Sequence, residues 1–184
     1  MTYENGVSSY RRFLQGDSTA LEELVRTYSD RLVRFACSYV KDATLAEEIM
    51  EDAFTALIVS RKIFSEKDNF SAYLYKIVRN KCLDCLRWHR RKVSLEEAER
   101  AFSVTDLDGD LVRRERNKAL YRCMQSLPEQ YREVLYLSYF ESCSVEEICA
   151  VTGKWKKQVY NLLARAKAAL KELLIKEGIS SEDV

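Results

Sequence analysis

Residues 144–170 read SVEEICAVTGKWKKQVYNLLARAKAAL, and the phase of their apolar positions decides the fold. Ser144 followed by Glu147 is a capping box: hydroxyl and carboxylate can each satisfy an amide left orphaned at a helix start. The apolar pattern that includes Ile148 stops at Gly153 and restarts in a new phase at Val159. A helix, a glycine turn and a second helix make the pattern of a helix-turn-helix. In the second helix Val159, Leu163, Ala166 and Leu170 are expected to pack inward. Lys157, Gln158, Asn161 and Arg165 then share the outer face, which could enter a DNA major groove. Gln158 and Asn161 can each pair bidentately with adenine, and Arg165 can reach guanine or a phosphate. A solvated basic helix in a bundle would carry the same pattern, so this stretch alone leaves DNA binding open.

Outward from that motif the helical period continues. The chain has 184 residues with one proline and five glycines, and its apolar positions recur at helical rather than strand spacing, which predicts an all-α fold. Ser126 with Glu129 reads as a further capping box in the second half. In the first half, Thr19 with Glu22 reads as a cap ahead of Leu21, Leu24, Val25, Tyr28, Leu32, Phe35 and Tyr39, which line one helix face. Thr44 with Glu47 is expected to open the next helix, which turns Ile49, Met50, Ala53, Phe54 and Leu57 inward. The pattern breaks from Arg61 to Asn69, a predicted loop, and resumes with Leu74, Ile77, Val78 and Cys85 packed inward. From Ser94 to about Arg114 the sequence turns acidic and loses its period. The expected organisation is two small helical domains, 8–92 and 117–177, joined by a polar linker over 93–116.

Net charge is +1, which decides nothing; its distribution is informative. Lys76, Arg79, Lys81, Arg87, Arg90, Arg91 and Lys92 are opposed only by Asp84 within their stretch. Lys154, Lys156, Lys157, Arg165, Lys167 and Lys171 form a second cationic group. Between them in sign stand Asp42, Glu47, Glu48, Glu51 and Asp52, which face only Lys41. Two basic patches and one acidic patch predict two anionic contacts and one cationic contact. The loop followed by a basic helix bearing Tyr73 and Tyr75 suits single-stranded DNA, because aromatic faces stack on bases while cations track the backbone. Core packing also explains these tyrosines and is the favoured reading for Tyr73, which neighbours Leu74 and Ile77 in the apolar pattern.

Several classes are excluded or disfavoured. No apolar run approaches the roughly 18 residues that span a bilayer, and residues 1–14 lack a signal-peptide core, so a cytoplasmic protein without direct membrane insertion is expected. Six cysteines in a leaderless chain predict reduced thiols; Cys82 and Cys85 have a metal or redox spacing, but only His89 could join them. The aspartates at 106, 108 and 110 lack the glycine and glutamate of a calcium loop. No nucleophile elbow, phosphate loop or paired histidines are present, so no catalytic residue, metal or cofactor is expected, and the chain is not read as an enzyme.

The runs AEEIMEDAF (46–54), AYLYKIVRN (72–80) and DCLR (84–87) resemble region 2 of extracytoplasmic-function sigma factors of the sigma-70 family. LPEQYREVL (127–135), SVEEI (144–148) and the segment from Val159 through Arg165 to Leu170 resemble region 4. The match covers about residues 10–175 in order and spacing. The resemblance implies an RNA polymerase sigma factor that binds core enzyme and promoter DNA and is held by an anti-sigma factor. It implies docking of Glu47, Glu48, Glu51 and Asp52 on the β′ clamp helices, and a contact from region 4 to the β flap. It implies a −10 contact by Phe64, Ser65, Lys67, Asn69, Tyr73, Lys76, Arg79, Asn80 and Arg87. For the −35 element it implies Lys154, Lys156, Lys157, Gln158, Tyr160, Asn161 and Arg165.

The chain departs from that family pattern in places. Ile58 and Tyr73 stand where tryptophans are frequent, Glu48 where aspartate is usual and Glu51 where glutamine is. Leu162 replaces a commonly basic residue, and Trp155 and Tyr160 add bulk to the recognition helix.

Overall fold

A computed structural model describes residues 6–65, 68–92 and 111–178, with side chains described except at 89–92 and 111–118. The described residues contain helices and no strand: α1 (Val7–Leu14), α2 (Ser18–Val40), α3 (Ala43–Ser60), α4 (Phe70–Lys92), α5 (Leu111–Ser126), α6 (Glu129–Leu135), a π-helical turn (Tyr136–Phe140), α7 (Val145–Thr152) and α8 (Lys156–Lys176). The all-α class is as expected. The chain divides into two compact units, Met1–Phe102 with Ala150–Thr152, and Ser103–Cys149 with Gly153–Val184. Residues 111–116, expected in the linker, form the first turns of α5, while 93–110 lie outside the described residues, as do the aspartates at 106, 108 and 110.

In the first unit α2 is the central helix, packed against α1, α3 and α4, with α3 also against α4. Leu24, Tyr28, Leu32, Phe35 and Tyr39 on α2 are buried, as their spacing predicts. Val25, expected with them, is 38% exposed because it lies at the edge of that stripe. Each fully buried leucine contributes about 1.5–3 kcal/mol relative to an exposed one. Tyr10 of α1 is fully buried and donates its hydroxyl to the Leu57 carbonyl at 2.9 Å, tying α1 to the end of α3. Burial raises its phenol pKa above the ordinary value. Gly6 is needed at the entry to α1: a Cβ there would stand 2.7 Å from the Phe70 ring.

Aspartates make the caps in this unit, not the threonines the sequence suggested. Asp17 accepts from the Thr19 amide at 3.0 Å and pairs with Arg12 at 2.7 Å. Asp42 accepts from the Leu45 amide at 3.0 Å. Thr19 and Thr44, first read as the caps, therefore lie inside their helices, each two residues past the aspartate that caps. Ser126 is likewise no cap: it ends α5 and donates to the Arg122 carbonyl, and Pro128 precedes α6.

In the second unit α5 and α6 pack on α8, and the π-helical turn continues α6. Val134, Leu135, Leu137 and Ile148 are buried, and Arg132 donates to the Gln125 carbonyl at 3.0 Å. No described helix is long and apolar enough to cross a membrane.

Candidate nucleic-acid and protein interfaces

The acidic surface stands on α3. Its inward face, Ala46, Ile49, Ala53, Phe54 and Leu57, is buried, and that phase sends Glu47, Glu48, Glu51 and Asp52 to solvent, with Met50 half-buried between. Glu48 and Asp52 line one side of a groove of about 310 Å³ between α3 and α4, with Leu45 and Ile49, and opposite Lys81, Asp84 and Cys85. Lys81 Nζ sits 3.0 Å from Asp52 Oδ2 and crosses that groove. An exposed pair is worth about 0–1 kcal/mol, so a cationic partner can displace it. Cys82 is buried, whereas Cys85 is half-buried at the groove, where burial and then Glu48 raise its thiol pKa. Neither forms a disulfide, and the His89 side chain lies outside the described ones.

The predicted loop after α3 is present, and it is heavily anchored. Arg61 ends α3 in the left-handed region at φ 43°. Lys62 places its ammonium 4.2 Å from the Tyr73 ring centre and 4.9 Å from that of Phe64. Phe64 was expected to face DNA, yet it is only 2% exposed. Its ring packs against Tyr10 at 5.5 Å, Phe70 at 5.3 Å and Tyr73 at 5.3 Å, and its carbonyl accepts from Arg11 at 2.9 Å. An irregular segment has no period from which that burial could be read, and the aromatic cluster under the loop claims the ring.

Beyond it, the Ser65 amide and hydroxyl both donate to Asp68 Oδ2, at 2.8 and 2.9 Å. Those bonds hold the Asp68 carboxyl below its ordinary pKa. Lys67 lies outside the described residues. Asn69 is exposed but caps α4 with its side-chain oxygen, 2.7 Å from the Ala72 amide. On α4, Tyr73 and Arg79 are half-buried, while Lys76, Asn80 and Arg87 are exposed on one face; Arg87 meets Asp84 at 2.9 Å. The other tyrosine, Tyr75, is fully buried edge-on against Phe35 at 5.1 Å and serves the core. Lys62 and Ile63, not singled out in the sequence, stand exposed or partly so beside these residues; the adjacent Arg61–Lys62 charges were the available signal.

The third surface is the helix-turn-helix. Ser144 and Glu147 form the expected capping box, with amide-to-side-chain distances of 2.6 and 3.2 Å, and Gly153 ends α7 at φ 70°. On α8, Val159 and Ala166 are buried and Leu163 and Leu170 half-buried. Lys156, Lys157, Gln158, Tyr160, Asn161 and Arg165 are exposed, and Lys154 partly so. Two local bonds change what this face can offer. Lys156 Nζ lies 2.5 Å from Glu146 Oε1, which lowers the carboxyl pKa and raises that of the ammonium. Gln158 accepts the Trp155 amide at 2.9 Å, so its oxygen is engaged and its NH₂ is the edge left to read a base. The Trp155 indole N–H is a donor and cannot return the bond. Its ring is 80% exposed.

The family description Sigma-70 region 2 matches residues 24–92, and Sigma-70, region 4 matches 117–170. The RNA polymerase sigma factor CarQ of Myxococcus xanthus is 32% identical over 146 residues, covering 77% of this chain and 82% of that one. The ECF RNA polymerase sigma factor SigM of Bacillus subtilis is 25% identical, covering 88% and 99%. Among solved structures, CnrH in complex with the cytosolic domain of CnrY superposes with a TM-score of 0.70 at 23% identity, over 94% of this chain and 99% of that one. The sigma factor RpoE of Bartonella quintana, in complex with the anti-sigma factor NepR, gives 0.68 at 22%, over 83% and 95%.

Proposed function

Because the chain belongs to the sigma-70 family of RNA polymerase sigma factors, in its extracytoplasmic-function group, we propose that its three charged surfaces divide the work of initiation. The chain itself directs promoter-specific transcription initiation by RNA polymerase. In the proposed division, Glu47, Glu48, Glu51 and Asp52 dock on the β′ clamp helices, whose cationic side chains replace Lys81 across the α3–α4 groove. Tyr73, Lys76, Arg79, Asn80 and Arg87 track the single strand of the −10 element, with Ser65, Lys67 and Asn69 in the loop before them. Lys154, Lys156, Lys157, Gln158, Tyr160, Asn161 and Arg165 face the −35 major groove, and the second unit also meets the β flap. The protein works in the cytoplasm without catalysing a reaction of its own, and an anti-sigma factor restrains it.

The observation that carries this reading is the sign of charge on each exposed face. α3 turns four carboxylates outward from an apolar side, and α8 turns cations and amides outward from Val159 and Ala166. Carboxylates repel phosphate, so α3 suits a protein and α8 suits DNA. Run-off transcription with purified core polymerase on genomic fragments tests it. Added protein should give initiation at a restricted promoter set, and charge reversal on α3 should abolish it. Undiminished initiation by that variant removes the docking assignment.

A further inference from the structure

The recognition helix begins with a bond that fixes which half of a carboxamide can meet a base. The Trp155 backbone amide, at the N-cap of α8, donates to the Gln158 side-chain oxygen at 2.9 Å. A backbone amide is only a donor, so the oxygen of Gln158 faces the helix start and its NH₂ is the outward edge. Pairing with adenine needs both edges, the oxygen for N6 and the NH₂ for N7, and turning the oxygen to a base would break the cap. Gln158 therefore meets the groove as a donor.

Beside that donor stands an apolar surface. The Trp155 side chain is 80% exposed, at an N-cap position where small polar residues are preferred. Its indole takes no part in holding Gln158, since that bond comes from the backbone amide. Donor and ring thus start three residues apart and are fastened to each other at one end of α8. In a helix-turn-helix this is the end of the recognition helix that contacts base edges. Gln158 also heads a row with Asn161 and Arg165, three and seven positions on, so it lies on the face proposed to meet DNA.

The four bases complement a donor beside an apolar ring differently. Cytosine presents a donor of its own, and adenine a donor next to its N7 acceptor. Guanine presents two acceptors and no apolar group, whereas thymine alone joins an acceptor, O4, to a methyl group at C5. We propose that Trp155 and Gln158 together select a thymine in the −35 element, the Gln158 NH₂ donating to O4 and the Trp155 ring covering the C5 methyl. This selection rests on the placement of α8 in the −35 major groove, and it gives a role to a tryptophan by which the chain departs from the family pattern.

Reconstituted holoenzyme is titrated by fluorescence anisotropy onto a labelled duplex carrying the −35 element of a promoter identified by run-off transcription. Each thymine of the element is replaced in turn by deoxyuridine, which lacks the methyl and keeps O4, and each T·A pair by C·G. At one thymine, deoxyuridine should weaken wild-type binding about fourfold, the worth of one buried methyl, and C·G should weaken it about tenfold. Trp155→Ala keeps the backbone amide that holds Gln158, so at that position it should bind thymine and deoxyuridine alike while still discriminating against C·G. Gln158→Glu keeps an oxygen for the cap but exchanges the donor for an acceptor, so there it should prefer cytosine, whose N4 donates, over thymine. Each comparison is a ratio between duplexes for one variant, which cancels any general loss of affinity. A deoxyuridine effect that is absent at every thymine, or that W155A leaves intact, would overturn the proposal, as would a thymine preference retained by Q158E. Lys157→Ala with Arg165→Ala separates the two levels. If that pair binds the duplex as wild type does, the −35 placement of α8 has failed; if it binds weakly while no thymine responds to W155A, only thymine selection has failed.

Discussion

Removing Lys157 and Arg165 together, as Lys157→Ala with Arg165→Ala, should change the salt dependence of −35 binding by an amount the structure sets in advance. Both side chains are exposed on α8, so each brings a charge whose phosphate contact releases a condensed counterion. Each contact contributes about 0.9 to the slope of log affinity against log salt, so the double variant should lose about 1.8. Between about 50 and 200 mM salt the variant should then lose about 12-fold less affinity than wild type does. Lys156 provides the contrast. Its ammonium already has Glu146 at 2.5 Å, an internal counter-charge, so Lys156→Ala should shift the slope by less than about 0.9. Glu146→Gln, which frees that lysine, should steepen it. Fluorescence anisotropy of holoenzyme on a labelled −35 duplex, titrated across that salt range, measures all three. An unchanged slope in the double variant would refute the placement of α8 against phosphate.

Ser144→Ala should cost about 1 kcal/mol of stability by removing a hydroxyl that caps α7, read in chemical denaturation of the transition assigned to the second unit. Phe64→Ala should destabilise the first unit by about 3–5 kcal/mol, while Phe64→Leu should cost far less and leave −10 binding near wild type; a loss of DNA binding by the leucine variant at full stability would instead assign the ring to DNA. Burial and the nearby Asp42 and Glu47 push the Cys37 thiol up to about 11. Its neutral form is favoured in the folded protein, so this stabilisation is complete below the ordinary thiol pKa and is lost as pH rises towards 11. At pH 8 only about 0.1% would be thiolate, so iodoacetamide with mass-spectrometric mapping should label Cys37 far more slowly than the half-exposed Cys149.

The sequence signals that succeeded were local and redundant. Ser144, Glu147 and Gly153 each marked the helix-turn-helix by its own chemistry, and all three act as their residue types suggest. The stripe from Leu24 to Tyr39 was legible because a long amphipathic helix repeats its signal over many turns. The caps at α2 and α3 were misplaced because an aspartate and a threonine stood within two residues of each other, and composition alone does not choose between them. The burial of Phe64 was illegible because a segment without a period does not show which side chains turn inward, and that burial depends on Tyr10 and Phe70, which are distant or differently phased in the chain. The Lys156–Glu146 pair and the Gln158–Trp155 bond were illegible for another reason. Both depend on the geometry of the turn between α7 and α8, and charge counting treats their members as independent.

The division of labour is tested most directly by equilibrium binding of purified core RNA polymerase to three variants of the full chain. One carries Glu47→Lys with Glu51→Lys on α3, one Lys76→Ala with Asn80→Ala on α4, and one Lys157→Ala with Arg165→Ala on α8. The α3 variant should lose core binding by at least about tenfold, while the α4 and α8 variants should bind core as wild type does. Wild-type affinity in the α3 variant, with loss confined to α4 or α8, would contradict the account.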